Sequence, residues 1–110
     1  MVSRKLVAAT SVPLVLAVLA EGESWGYAIL RRIEQLSRGA IEWNEGMLYP
    51  VLHRLESEGL ASARWGASED GRRRRYYRIT PRGREILRGE REEWLAVHRT
   101  LQALWEGGHA

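Results

Sequence analysis

Four consecutive arginines, Arg72 to Arg75, followed by Tyr76 and Tyr77, are the chain's densest set of groups able to hold a charged partner. Guanidinium groups grip phosphate oxygens through paired N–H donors, so such a run suits the backbone of a polyanion. A second candidate set lies upstream, in NEGMLYPVLHRLESEG from Asn44 to Gly59. Read as a helix, that stretch puts Gly46, Pro50, His53 and Ser57 on one face, flanked by Tyr49 and Arg54. A face meant only for water is normally dressed in Glu and Lys, whereas a lean polar face admits close approach of a partner. Each set also has a bland reading, as a solvated helix face and as charged protection of an exposed strand edge. For the arginines binding is favoured, since edge protection rarely needs four in a row and normally uses lysine.

Catalytic chemistry finds no comparable set. His53, His98 and His109 lack spaced partners for a metal site or a nucleophile–base pair, and the glycines form no phosphate loop. The expectation is therefore no enzyme, no metal and no cofactor. Cysteine is absent, which excludes disulfides and thiolate ligands and fits a cytoplasmic location. At 110 residues the chain can bury one real core. The net charge of +3 hides an uneven distribution. Residues 1–60 hold six basic and seven acidic side chains, residues 61–80 hold six and two, and residues 81–110 hold five of each. The whole excess sits in the segment with the arginine run, as a polyanion-binding surface requires. Lipid is also a polyanion, so charge alone does not choose between nucleic acid and membrane.

These groups need elements to position them. Leu48, Val51, Leu52 and Leu55 recur at helical spacing, Asn44 is a suitable N-cap, and Gly59 a suitable stop. Before them, Arg4 and Lys5 precede an apolar run from Leu6 to Ala20. The run has the parts of a secretory signal, but is too short for a membrane span and is interrupted by Pro13. A buried helix is the favoured reading, with Ser11 and Pro13 able to start its second part, because without it the remaining short helices have little to pack against. Ser24 is read as the N-cap of a second helix to about Ser37, with Ile29, Leu30, Ile33 and Leu36 as its apolar face. Ile41-Glu42-Trp43 alternates like a very short strand.

After Gly59 the period changes to two. Leu60–Trp65 and Arg72–Ile79 read as strands of a hairpin closed by 66–71, with Asp70-Gly71 as the turn signal. Tyr77 and Ile79 should face the core, while Arg72, Arg74, Tyr76 and Arg78 share the other face, leaving free arginines on both sides of the blade. Thr80-Pro81 caps and starts a last helix to about Glu106. Leu87, Trp94 and Leu101 are seven apart, and Val97 and Leu104 add a second row at the same spacing, with Glu90 as the one break. Such a stripe on a protruding helix seeks another helix, either the first helix of its own chain or, preferably, the corresponding helices of a second copy in a two-fold dimer. The fold class expected is mainly α with a small β hairpin: a winged helix-turn-helix over 1–80 and a dimerisation helix over 81–110.

In this order and spacing, LVLAVLAEG with Trp25-Gly26-Tyr27, then NEGMLYPVLHRLESEGL, then EDGRRRRYYRITPRGRE resemble the PadR family of bacterial transcriptional regulators in its short form. The resemblance implies a homodimeric repressor of adjacent genes on a pseudo-palindromic double-stranded DNA operator. By position it implies DNA contacts from Asn44, Met47, Tyr49, Pro50, His53 and Arg54 of the third helix and from Gly71, Arg72, Arg73 and Arg74 of the wing. Met47 departs from the family's usual Thr, which removes a hydroxyl and offers an apolar group to a thymine methyl. His53, at a position that varies among relatives, is the candidate for sequence choice. The resemblance further implies a small planar hydrophobic effector between the subunits, with Trp94 as its stacking surface; the alternative is that Trp94 is a core residue of the helix seam, the commoner place for an aromatic there. The dimer interface would comprise Leu87, Trp94, Val97, Leu101 and Leu104, and no membrane partner is implied. The readings weighed against this one are a winged helix used for protein contact and, if the leading run is cleaved, a secreted basic domain.

Overall fold

A computed structural model describes residues 1–107. The element order is α1 (Arg4–Glu21), β1 (Ser24–Trp25), α2 (Gly26–Ser37), α3 (Glu45–Ser57), β2 (Ala61–Ala67), β3 (Arg73–Ile79) and α4 (Pro81–Gly107). This is the winged helix-turn-helix with a long trailing helix that the periodicities anticipate.

The apolar leading run is an unbroken helix and part of the core. Val7, Val15, Leu16, Val18 and Leu19 of α1 are buried. Pro13 lies inside α1 and starts no second segment. Ser11 is not a cap either, because its hydroxyl donates to the Ala8 carbonyl 2.9 Å away. The helix is capped instead by Ser3, whose Oγ accepts the Leu6 N–H at 3.2 Å. Around α1 gather Ile29 and Ile33 of α2, Leu48, Leu52 and Leu55 of α3, Leu60 just before β2, and Ala61 and Tyr77 of the sheet. Truncating one of the fully buried leucines to alanine costs about 2–5 kcal/mol, so this cluster dominates the stability of the fold.

Three readings of the sequence are corrected. Ser24 does not cap α2; with Trp25 it forms β1, paired antiparallel to β3 as Ser24↔Tyr77 and Trp25↔Tyr76. The sheet is therefore three-stranded, in the order β1-β3-β2, rather than a bare hairpin. A two-residue strand carries no periodic signal of its own, and its partner lies some fifty residues away. Secondly, Ile41-Glu42-Trp43 forms no strand, having no ladder to join, although Ile41 and Trp43 still turn inward against the core. Thirdly, Gly66 and Ala67 continue β2, opposite Arg74 and Arg73. Gly66 read as loop, but its missing side chain is what the strand requires: a Cβ there would lie 2.7 Å from Arg64 Nη1 and 2.9 Å from the Tyr76 ring.

The ends of α3 and α4 are closed by local chemistry. Asn44 Oδ1 accepts the Met47 N–H at 3.0 Å. At the other end Gly59 takes φ +74°, which lets Leu60 N–H return to the Leu55 carbonyl at 2.8 Å. That is the six-to-one bond of a left-handed helix stop. Thr80 Oγ1 donates to the Gly59 carbonyl at 2.7 Å and accepts the Gly83 N–H at 3.0 Å, joining the two helix ends. Gly83 is buried, and a Cβ there would overlap the Leu60 carbonyl oxygen. Among the described residues no helix is long and apolar enough to cross a membrane.

Candidate nucleic-acid interface

Burial of Leu48, Leu52 and Leu55 against α1 and α2 forces the opposite side of α3 outward. Gly46, Tyr49, Pro50, His53, Arg54 and Ser57 are all exposed there. Their roles differ. The Asn44 side-chain oxygen is committed to capping α3, so only its amide nitrogen is free for a partner. Tyr49 leans toward the start of α2, where a Cβ on Gly26 would sit 3.2 Å from its hydroxyl. Arg54 pairs with Glu58 one turn on, at 3.1 Å. Met47 is half-buried at the first turn.

The edge of α3 bearing Glu45, Tyr49 and His53 and the strand Arg73 to Arg75 line one open cleft of about 420 Å³. The displayed helix and the wing therefore form a continuous surface. Gly71, at φ +82°, forms the wing tip beside Asp70. The Ser68 hydroxyl donates to the Asp70 carboxylate, which with the Arg72 N–H holds that carboxyl below the usual carboxylate range.

The arginines are not equivalent, and the expectation that they are all free is corrected. Arg75 donates to Glu56 of α3 at 2.8 Å, fastening the wing to the displayed helix. Arg64 makes two bonds to Glu23, at 2.6 and 2.9 Å, and lies 4.8 Å over the Tyr76 ring. The Arg64 hydrogen bonds are the largest influence on Glu23, lowering its pKa. Arg72 comes within 3.7 Å of Asp70. Arg73 and Arg74 have no carboxylate within salt-bridge distance among the described residues. Arg73 lies 4.9 Å over Trp65, and Arg74 lies 4.5 Å over Trp25. Of the two tyrosines, Tyr77 is buried in the core and its burial raises its pKa, while Tyr76 is the platform beneath Arg64. Thus Arg73 and Arg74 are held over aromatic rings rather than in ion pairs, although Arg74 is near enough to Asp70 to help lower that carboxyl's pKa.

Residues 15–89 match the family described as Transcriptional regulator PadR-like family. The chain belongs to that family. An uncharacterized protein of Lysinibacillus sphaericus is 32% identical over 94 residues, 86% of each chain. A transcriptional regulator of Mycobacterium tuberculosis is 47% identical over 58 residues, 53% of each. Among solved structures, a transcriptional regulator from Clostridium thermocellum superposes with a TM-score of 0.83 at 30% identity, covering 93% of this chain and 96% of that one. A PadR family transcriptional regulator from Eggerthella lenta gives 0.75 at 33% identity, covering 93% and 87%.

On this PadR-like regulator the trailing helix divides its apolar residues between two surfaces. Leu87 packs against the chain's own core. Leu87 and Leu95, with Trp94 at the rim, face α1 across a groove of about 560 Å³ floored by Leu14 and Ala17. Trp94, Val97, Leu101 and Leu104 remain 37%, 52%, 38% and 66% exposed. Trp105, outside the heptad reading, is 64% exposed beside them. His98 lines the same groove, and His109 lies outside the described residues. The sequence reading missed Trp25, Trp65 and Glu56. Trp25 entered the sequence reading only within the Trp25-Gly26-Tyr27 run, Trp65 only as the end of a strand, and Glu56 only as one acidic residue among many.

Proposed function

We propose that this PadR-like transcriptional regulator is a homodimeric, sequence-specific repressor that inserts the two copies of α3 into successive major grooves of a pseudo-palindromic operator. The observation that carries this reading is the shared cleft, in which the exposed edge of α3 and the unpaired Arg73 and Arg74 lie on one surface. Phosphate contacts from the wing would provide most of the affinity, while Met47, His53 and their neighbours on α3 read base edges. Dimerisation is supported by the row Trp94, Val97, Leu101 and Leu104, whose apolar side chains stay exposed among the described residues. With α4 spanning 27 residues, about 40 Å of helix, a second copy has ample length to grip. The two α3 helices would then lie about 34 Å apart, one DNA turn.

A planar hydrophobic effector would occupy the apolar groove beside Trp94 and act by changing the spacing of the two α3 helices. It regulates only if it binds the two dimer arrangements with different affinity. The experiment is binding to the DNA upstream of the protein's own gene, against random duplex, at several salt concentrations. Preference for the upstream DNA by a factor of about 10³, with two protected half-sites one turn apart, is the expected result. No binding to any duplex at low salt would instead favour a winged helix used for protein contact.

A further inference from the structure

The wing holds its arginines in two different ways. Arg64 and Arg75 are held by carboxylates, Glu23 and Glu56, which fix their geometry and cancel their charge. Arg73 and Arg74 are held by indoles, Trp65 and Trp25, which leave the charge intact. Register explains the division. Trp65 stands opposite Arg75 on the blade face that carries Tyr77, and Arg73 reaches it from two residues along the strand. Arg74 alternates to the Tyr76 side of the strand, where Trp25 of β1 stands opposite Tyr76, and both Arg74 and Trp25 still line the cleft shared with α3.

Packing alone does not account for Trp65. It stays 56% exposed, and Arg73 at 4.9 Å and Arg75 at 5.4 Å both lie over its ring. Trp25 meets Tyr76 edge to face with ring centres 5.7 Å apart, which orients the indole beneath Arg74. A guanidinium lying over a ring keeps its N–H donors at its periphery, free for phosphate oxygens. An unsupported arginine must lose its rotamer freedom when it binds; one already resting on a ring loses less.

We propose that Trp65 and Trp25 are positioning residues of the wing, which hold Arg73 and Arg74 ordered and unneutralised for contact with a phosphate backbone. The inference rests on the DNA-binding reading above. It places β1, far from the arginines in sequence, within the binding machinery.

The test is a pair of double-mutant cycles, Trp65→Leu with Arg73→Gln and Trp25→Leu with Arg74→Gln, read as affinity for a random-sequence duplex at low salt, with melting curves for each variant. Neither tryptophan substitution alters charge. Each should weaken binding about three- to ten-fold through lost pre-ordering. That loss should shrink to nearly nothing when the partner arginine is already Gln. Trp65→Tyr and Trp25→Tyr, which retain a π face, should recover most of it. If Trp25→Leu unfolds β1, the Trp65 cycle and Trp25→Tyr still decide the matter. Losses that simply add in the Trp65 cycle, or a Trp65→Leu variant that binds like wild type, overturn the proposal while leaving DNA binding intact. A wild-type protein that binds no duplex overturns both.

Discussion

Replacing Arg73 and Arg74 together with glutamine removes two wing cations that have no carboxylate within salt-bridge distance among the described residues. For duplex DNA the logarithm of the binding constant falls with the logarithm of salt concentration by about 0.9 per phosphate neutralised, so losing two contacts flattens that slope by about 1.8 per protomer. Over a four-fold rise in salt, the variant should therefore lose about ten-fold less affinity per protomer than the wild type. A matched variant that replaces both members of two ion pairs with glutamine, Arg64 with Glu23 and Arg75 with Glu56, also removes two arginines but bares no carboxylate. It takes away side chains already neutralised by Glu23 and Glu56, at 2.6 and 2.8 Å, and should change the slope much less. Fluorescence anisotropy on one random duplex at five or six salt concentrations measures both slopes. Random sequence is the right target, because it isolates phosphate contacts from base reading. Equal flattening by the two variants would show that ion pairing within the wing does not decide which arginines meet phosphate, and the reasoning would fail.

Three further outcomes are expected. Gly83→Ala should gain up to about 1 kcal/mol in helix propensity but lose about 1–3 kcal/mol to overpacking against the rigid Leu60 carbonyl, giving a net loss in urea unfolding. His53→Ala should change preference at one base pair by about 1–3 kcal/mol in a panel of single-substitution operators, and equal losses on operator and random DNA would refute a reading role. Glu21 and Glu23 have pKa values lowered chiefly by hydrogen bonds from Arg32 and Arg64. A lowered folded-state pKa adds stability above the pH at which a free glutamate titrates, and that stability disappears as pH falls through the folded value. Acid unfolding of Glu23→Gln should accordingly be less steep than that of the wild type, as followed by circular dichroism.

Much of this architecture is written locally. The three-and-four spacing of Leu48, Leu52 and Leu55 names a helix, and Asn44 and Gly59 mark its ends, because caps and periodicity depend on neighbours a few residues away. Thr80-Pro81 announces α4 for the same reason. The excess of arginine after α3 marks the proposed binding face, since charge needs no fold to be counted. What depended on the tertiary structure was everything decided between distant residues. Ser24 is as good a cap as Asn44 by type, yet it became a strand because β3 offered an edge to pair with. Leu87 and Leu101 share one heptad row, yet Leu87 lies against the chain's own core while Leu101 remains 38% exposed, because α4 outruns the body it packs on. Four adjacent arginines are chemically identical in the sequence. Only the approach of Glu56, Trp65 and Trp25 from three other elements separates one neutralised charge from two that remain available.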